Sequence, residues 1–193
     1  MKNLRFLSFI FFLSSFCLNA QEIKVGDLYT FDDNTKGVVF YVDENGHGLA
    51  LSLDQEKRRW EDESHYVYCQ NITSIPDEVL PYLGFNSGLG KIYTANIIMQ
   101  LGNVKPTAAK YCRENGTEWY LPSAGEMYQL MMANATYKLN KVLIENDAKP
   151  ISGWYWTSSE HSQGEAWRIN KKGTTKRCTK LATGVFARAI RQF

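Results

Sequence analysis

This chain of 193 residues has few residues that could staple it, hinge it or charge it strongly. It holds four cysteines, three histidines and five prolines, and formal charge departs from zero by only two. No two Cys or His residues form the tight pairs that a structural zinc site needs, so metal-dependent folding has no sequence support. There is no Pro-, Ser- or Gly-rich linker, no low-complexity tract and no internal period, which argues against a stalk or a repeat array. The apolar run near the start is too short to cross a bilayer, and no other stretch approaches the length that does.

Those first residues read as a targeting segment. Lys2 and Arg5 give a basic start, Leu7 to Phe16 is mostly apolar, and Leu18-Asn19-Ala20 places a small residue before Gln21. We expect residues 1–20 to be a signal peptide cleaved after Ala20 and residues 21–193 to form one exported domain, periplasmic, cell-surface or extracellular. Cys17 raises a lipoprotein anchor as the alternative, against which stands bulky Phe16. Removing the segment takes away two basic residues and no acidic one, so the 22 Lys and Arg of the whole chain fall level with its 20 Asp and Glu. A neutral mature chain has no global field for nucleic acid or anionic membrane.

Export permits a disulfide, and cleavage leaves Cys69, Cys112 and Cys178. Their pairing cannot be read from spacing, and burial as small hydrophobes is an equal reading.

The chain opens with strand chemistry. Val38 to Val42 and Leu49 to Leu51 flank Asn45-Gly46, a two-residue turn signal, and predict a β-hairpin. The run Asp54 to Glu63 alternates in sign and reads as a solvated loop. From Tyr68 to Gly90, prolines and glycines break any period. Ile92, Ala95 and Met99 then lie on one helical face with Gly102 as a stop, and Pro106 opens a second helix ended by Asn115-Gly116. Ser123 and Glu126 stand in capping-box relation ahead of Met127, Leu130 and Met131. Capping, in preference to acid or base catalysis, accounts for Glu126. After Pro150, strands are expected at Trp154 to Ser158, Ala166 to Ile169 and Val185 to Arg191, with Lys171-Lys172-Gly173 as a turn. The last strand would put Phe186, Arg188 and Ile190 on one face. The predicted class is α+β: an N-terminal β-hairpin, two to three helices and a C-terminal antiparallel sheet.

An ordered series of segments carries a resemblance. Trp119-Tyr120-Leu121-Pro122-Ser123-Ala124-Gly125-Glu126, Tyr155-Trp156-Thr157-Ser158-Ser159-Glu160, Ala166-Trp167 and Arg188-Ala189-Ile190-Arg191 follow Gly37 to Val42 and Gly88-Leu89-Gly90-Lys91. The chain from Val25 to Phe193 resembles the C-terminal domain family of bacterial collagen-like (Lcl) adhesins, a domain of unknown function in the C-type-lectin-like superfamily. The resemblance implies a C-type-lectin-like fold in which the two chain ends meet in one sheet. Family members commonly place a cysteine between the two final arginines, where this chain has Ala189. With that partner gone and Cys178 read in a Lys/Thr loop, the expected bridge joins Cys69 to Cys112.

Classical lectin-like calcium sites join a Glu-Pro-Asn or Gln-Pro-Asp loop to a Trp-Asn-Asp strand, supplying many oxygen ligands. Here the nearest tripeptides are Ile75-Pro76-Asp77 and Trp167-Arg168-Ile169, so no metal or other cofactor is expected. Asp32 to Gly37 imitates the start of an EF-hand loop, but Lys36 sits at a ligand position. No phosphate loop or nucleophile elbow occurs. Ser158, Ser159, Glu160 and His161 read as a polar turn. The sulfatase-modifying enzymes share a related fold and an Arg-rich end, but their chemistry needs a poised cysteine pair, and Cys178 stands alone near the C-terminus.

What is left is aromatic and basic. Trp156 and Trp167 read as core, whereas Trp154, Arg168, Arg188 and Arg191 are the candidate ligand-binding residues, suited to a sugar or an acidic group. The competing account of Arg188 is a structural pair that holds the sheet. The expected function is non-enzymatic, calcium-independent binding of a glycan or other surface polymer. The alternative is a structural or accessory protein of a cell-surface assembly that binds a protein partner.

Overall fold

The computed structural model describes residues 22–62, 89–101 and 107–193. The expected signal peptide, Cys17, Cys69 and most of the irregular segment after Tyr68 lie outside the described residues, as do Gly102 and Pro106.

Nine strands and four helices are described, which makes the chain α+β. The strands are β1 (Leu28–Thr30), β2 (Lys36–Val42), β3 (Gly48–Ser52), β4 (Glu56–Lys57), β5 (Trp154–Glu160), β6 (Glu165–Asn170), β7 (Thr175–Thr179), β8 (Phe186–Ala187) and β9 (Ile190–Gln192). The helices are α1 (Leu89–Leu101), α2 (Ala108–Glu114), α3 (Ala124–Tyr137) and α4 (Leu139–Glu145). One sheet runs β1-β2-β3-β9 and the other β4-β8-β5-β6-β7. The first strands and the last therefore share a sheet.

The β2–β3 hairpin forms as expected, but its turn is longer than two residues. Pairing ends at Val42 opposite Gly48. The loop between is closed by the Asp43 carboxylate, which accepts from the amides of Asn45 and His47 at 2.8 and 2.9 Å, while Gly46 takes the left-handed φ of +82°.

The capping box at α3 is present: the Ser123 hydroxyl accepts from the Glu126 amide and the Glu126 carboxylate accepts from the Ser123 amide at 2.7 Å. That carboxylate is fully buried and also accepts from Tyr120 Oη and the Gly90 amide, at 3.1 and 3.2 Å. A side chain at Gly90 would put its Cβ 2.3 Å from Glu126 Oε2, so only glycine lets α1 begin there. Glu126 thus ties three segments together.

The long sheet divides the core by side-chain alternation. Tyr155, Trp167 and Ile169 join Val38, Leu51, Met127 and Ile190 on one side, beneath α3. Trp156 and Ala166 join Trp60, Ile97, Cys112 and Trp119 on the other, beneath α1 and α2. Trp156 is fully buried and Trp167 is 4% exposed, so both are core, as the sequence suggests. Truncating Trp156 to Ala costs about 3–5 kcal/mol.

Four expectations need correction. Helix α1 buries Tyr93, Thr94, Ile97 and Leu101 and exposes Ile92 and Met99, the reverse of the predicted face. Both sides of this helix are apolar, so periodicity cannot choose between them. The segment read as one strand from Val185 to Arg191 is two, β8 and β9, which belong to different sheets and part at Arg188-Ala189. The Lys/Thr segment read as a loop is β7, paired with β6 from Glu165↔Thr179 to Ile169↔Thr175. Ser158, Ser159 and Glu160 are the buried end of β5 and form no turn.

Candidate functional site

Strands β5, β6 and β7 bring two of the four candidate ligand-binding residues together. Register places Arg168 opposite Trp156 on one side and Lys176 on the other, with Trp154 two residues along β5. The Arg168 guanidinium lies 4.5 Å from the centroid of the Trp154 ring, and Lys176 Nζ lies 6.0 Å from it. Both distances are within cation–π range. Arg168 Nε is buried and donates to no acceptor. The β6–β7 turn follows at once: the Asn170 side-chain oxygen accepts from the amides of Lys172 and Thr174, Gly173 takes φ +78°, and Lys171 and Lys172 point into solvent. Glu165, Trp167, Thr175, Lys176 and Arg177 line an open trough of about 380 Å³ along the same hairpin.

Arg188 is elsewhere and does something else. It is fully buried. Its Nε and two terminal nitrogens donate five hydrogen bonds: to Ser52 O at 3.0 and 2.8 Å, Leu53 O at 3.2 Å, Lys149 O at 2.7 Å and Gln55 Oε1 at 3.0 Å. No donor is left for a ligand. The expectation that Arg188 binds an acidic group is therefore wrong. The break between β8 and β9 turns its side chain inward, where it closes the carbonyls that β3 exposes as it ends. Burial lowers its pKa to about 10, so it still carries its charge at neutral pH. Tyr155 Oη donates to the same Gln55 oxygen and accepts from the Ser152 amide, which extends the network into β5.

Arg191 stays near the surface but is engaged. It ion-pairs with Asp33, donates to Thr35 Oγ1 at 2.9 Å and lies 4.0 Å from the Phe31 ring centroid. Two Thr35 hydrogen bonds, then Arg191, hold the Asp33 carboxyl down at about 2. This corner fastens the loop between β1 and β2 to β9. It shares no surface feature with Trp154 and Arg168.

A second buried charged centre was not visible in the sequence. The run from Asp54 to Glu63 leaves solvent after β4: Trp60, Glu61 and Asp62 are all buried. Lys180, also fully buried, donates to Glu160 Oε1 at 2.5 Å, stands 3.5 Å from Glu61 Oε2 and lies 4.6 Å from the Trp60 ring centroid. The Trp60 amide donates to Lys180 O, and Trp60 Nε1 donates to Thr157 O. Two carboxylates share one ammonium here, and burial pushes Glu61 up to about 7 against the pull of Lys180. Charges 119 residues apart in sequence give no local sign that they meet.

Among the described residues, no group of three His, Cys, Asp or Glu could hold a metal ion. Ser159 Oγ accepts from the Ala124 amide at 3.0 Å and helps begin α3. Cys112 and Cys178 are free thiols, and Cys112 is completely buried, its pKa driven far up by desolvation. The other end of the expected bridge, Cys69, lies outside the described residues. No described helix is long and apolar enough to cross a membrane.

No family model matches this chain, and no curated protein matches it. Among solved structures it is similar to a fimbrial protein from Bacteroides ovatus, with a TM-score of 0.54 and 17% identity over 88% of this chain. The match takes up 48% of that protein, so this chain spans about half of its length. The likeness is one of fold.

Proposed function

We propose that this chain is an exported accessory or structural protein of a bacterial cell-surface assembly, that it works by holding a protein partner, and that it is not an enzyme. The observation that carries this reading is the shared fold with a fimbrial protein over most of the chain. The reading is supported by where the polar groups went. The buried carboxylates and Arg188 are spent on the fold, and five cations against one carboxylate lie on the exposed β6–β7 hairpin.

The C-type-lectin-like description and the kinship with the collagen-like adhesin domain belong to the same proposal. Their support is that β1, β2, β3 and β9 form one sheet, with helices between the two ends of the chain. Glycan recognition has less support. Arg188 is inside the protein, and the Arg168 guanidinium occupies a face of the Trp154 ring that a sugar would stack on. The sulfatase-modifying alternative asks for an activated thiol, and Cys112 is the opposite of one.

The test is to express the tagged full chain in a bacterium that makes it, fractionate the cells and crosslink intact cells. The role predicts an exported protein that crosslinks into a larger surface species. A chain recovered in the cytoplasm, or at the surface without crosslinked partners, contradicts it.

A further inference from the structure

One hairpin of the described surface gathers positive charge in excess of its own carboxylates. The β6–β7 hairpin carries Arg168, Lys171, Lys172, Lys176 and Arg177 against the single carboxylate of Glu165, which stands 3.9 Å from Arg177. Several cations elsewhere on the described surface meet carboxylates within the fold: Arg191 has Asp33, Lys91 has Glu118 and Arg58 has Glu56. In a mature chain of balanced charge, a basic hairpin implies acidic surface elsewhere and a local field at the hairpin. We propose that this hairpin, with Trp154 beside it, is the surface that receives the protein partner, and that it takes an acidic segment rich in Asp and Glu.

Three observations favour that occupant. Arg168 is held in place on the Trp154 ring with a buried Nε that donates to nothing, so a carboxylate would meet a guanidinium whose freedom is already spent. Strand β7 is the outer strand of its sheet among the described residues, and cations on an edge strand repel another basic strand, including a second copy of β7, while attracting an acidic one. The cations also fall on both faces of β7: Lys176 stands with Arg168 and Trp154, and Arg177 pairs in register with Trp167 on the other. Successive carboxylates of an extended segment could meet both.

This inference rests on the proposed role in a surface assembly, and its test separates the two. The probe is a short synthetic peptide of alternating Glu and Thr, titrated into the full chain and followed by tryptophan fluorescence and calorimetry. A Gln/Thr peptide, a sulfated oligosaccharide and a single-stranded oligonucleotide of matched charge serve as the other arms. The Glu peptide should bind, the Gln peptide should not, and added salt should weaken binding. Changing Lys171→Glu together with Lys172→Glu, both solvent-exposed turn residues, should weaken it about tenfold with the melting temperature unchanged. Lys176→Glu should do the same. Failure of the Glu peptide to bind, equal binding of the Gln peptide, indifference to these substitutions, or tighter binding of the sugar or oligonucleotide would each overturn the proposal. If the site fails while the chain still crosslinks into a surface species, the role stands without it. If the hairpin binds but the chain does not reach the surface, the site stands without the role.

Discussion

Arg168, within β6, and Arg188, between β8 and β9, read alike in the sequence, each among aromatic and basic residues. The fold separates them completely. Arg168 lies half-exposed over an indole with a donor to spare, in a patch with an excess of positive charge. Arg188 is sealed among carbonyl groups, and all five of its hydrogen bonds are internal. The difference lies in the backbone beside each one. Arg168 is inside a regular strand one in from the outer strand β7, and alternation fixes its face. Arg188 sits where the chain leaves one sheet for the other, and that break turns it inward onto the Ser52, Leu53 and Lys149 carbonyls.

The contrast can be broken at several points. Arg188→Ala should give the largest effect, a loss of about 3–5 kcal/mol in chemical denaturation, because it removes five hydrogen bonds from a buried site and takes the Arg188 donor from the Ser52 and Lys149 carbonyls. Arg188→Lys should recover only part of that, since one ammonium cannot reach carbonyls on two sides. A loss below about 1 kcal/mol would place Arg188 at the surface after all.

Glu61→Gln sharpens the comparison through pH. Glu61 titrates at about 7 when folded, against 4.5 for an exposed glutamate. The unfolded chain therefore releases this proton first, and the stability tied to it is full below pH 4.5 and lost as pH rises to about 7. Melting across that window should show wild type losing on the order of 2 kcal/mol through this group, while the Gln variant lacks that slope. Parallel slopes would mean that Glu61 is ionised throughout.

Smaller effects follow. Ser123→Ala should cost about 1 kcal/mol by removing the acceptor that begins α3. Arg168→Ala should cost less than about 1 kcal/mol, the worth of a half-exposed cation–π contact, and its signature should appear in binding to acidic peptide and not in the melt.

The sequence made some of this legible and hid the rest for definite reasons. The capping box at Ser123 and Glu126 and the pairing of Val38–Val42 with Leu49–Leu51 were readable because local chemistry decides them. Trp156 and Trp167 were readable as core because a large aromatic in the middle of a strand has few other places to go. Helix α1 misled because Ile92 and Met99 match a helical period as well as Tyr93 and Ile97 do. Strand β7 looked like a loop because an edge strand can be polar on both faces. The Asp54 to Glu63 run looked solvated because the burial of Trp60 and Glu61 involves Lys180, far along the chain. The site divides in the same way: Trp154 and Arg168 share local strand register, whereas the fate of Arg188 depends on a break that alternation alone does not announce.

The most direct test of this sorting of charge is arginine footprinting of the native protein with phenylglyoxal, read peptide by peptide by mass spectrometry. Arg168 should be modified under native conditions and Arg188 should stay protected until the chain unfolds. Modification of Arg188 at a rate comparable to Arg168 in the folded protein would contradict the account.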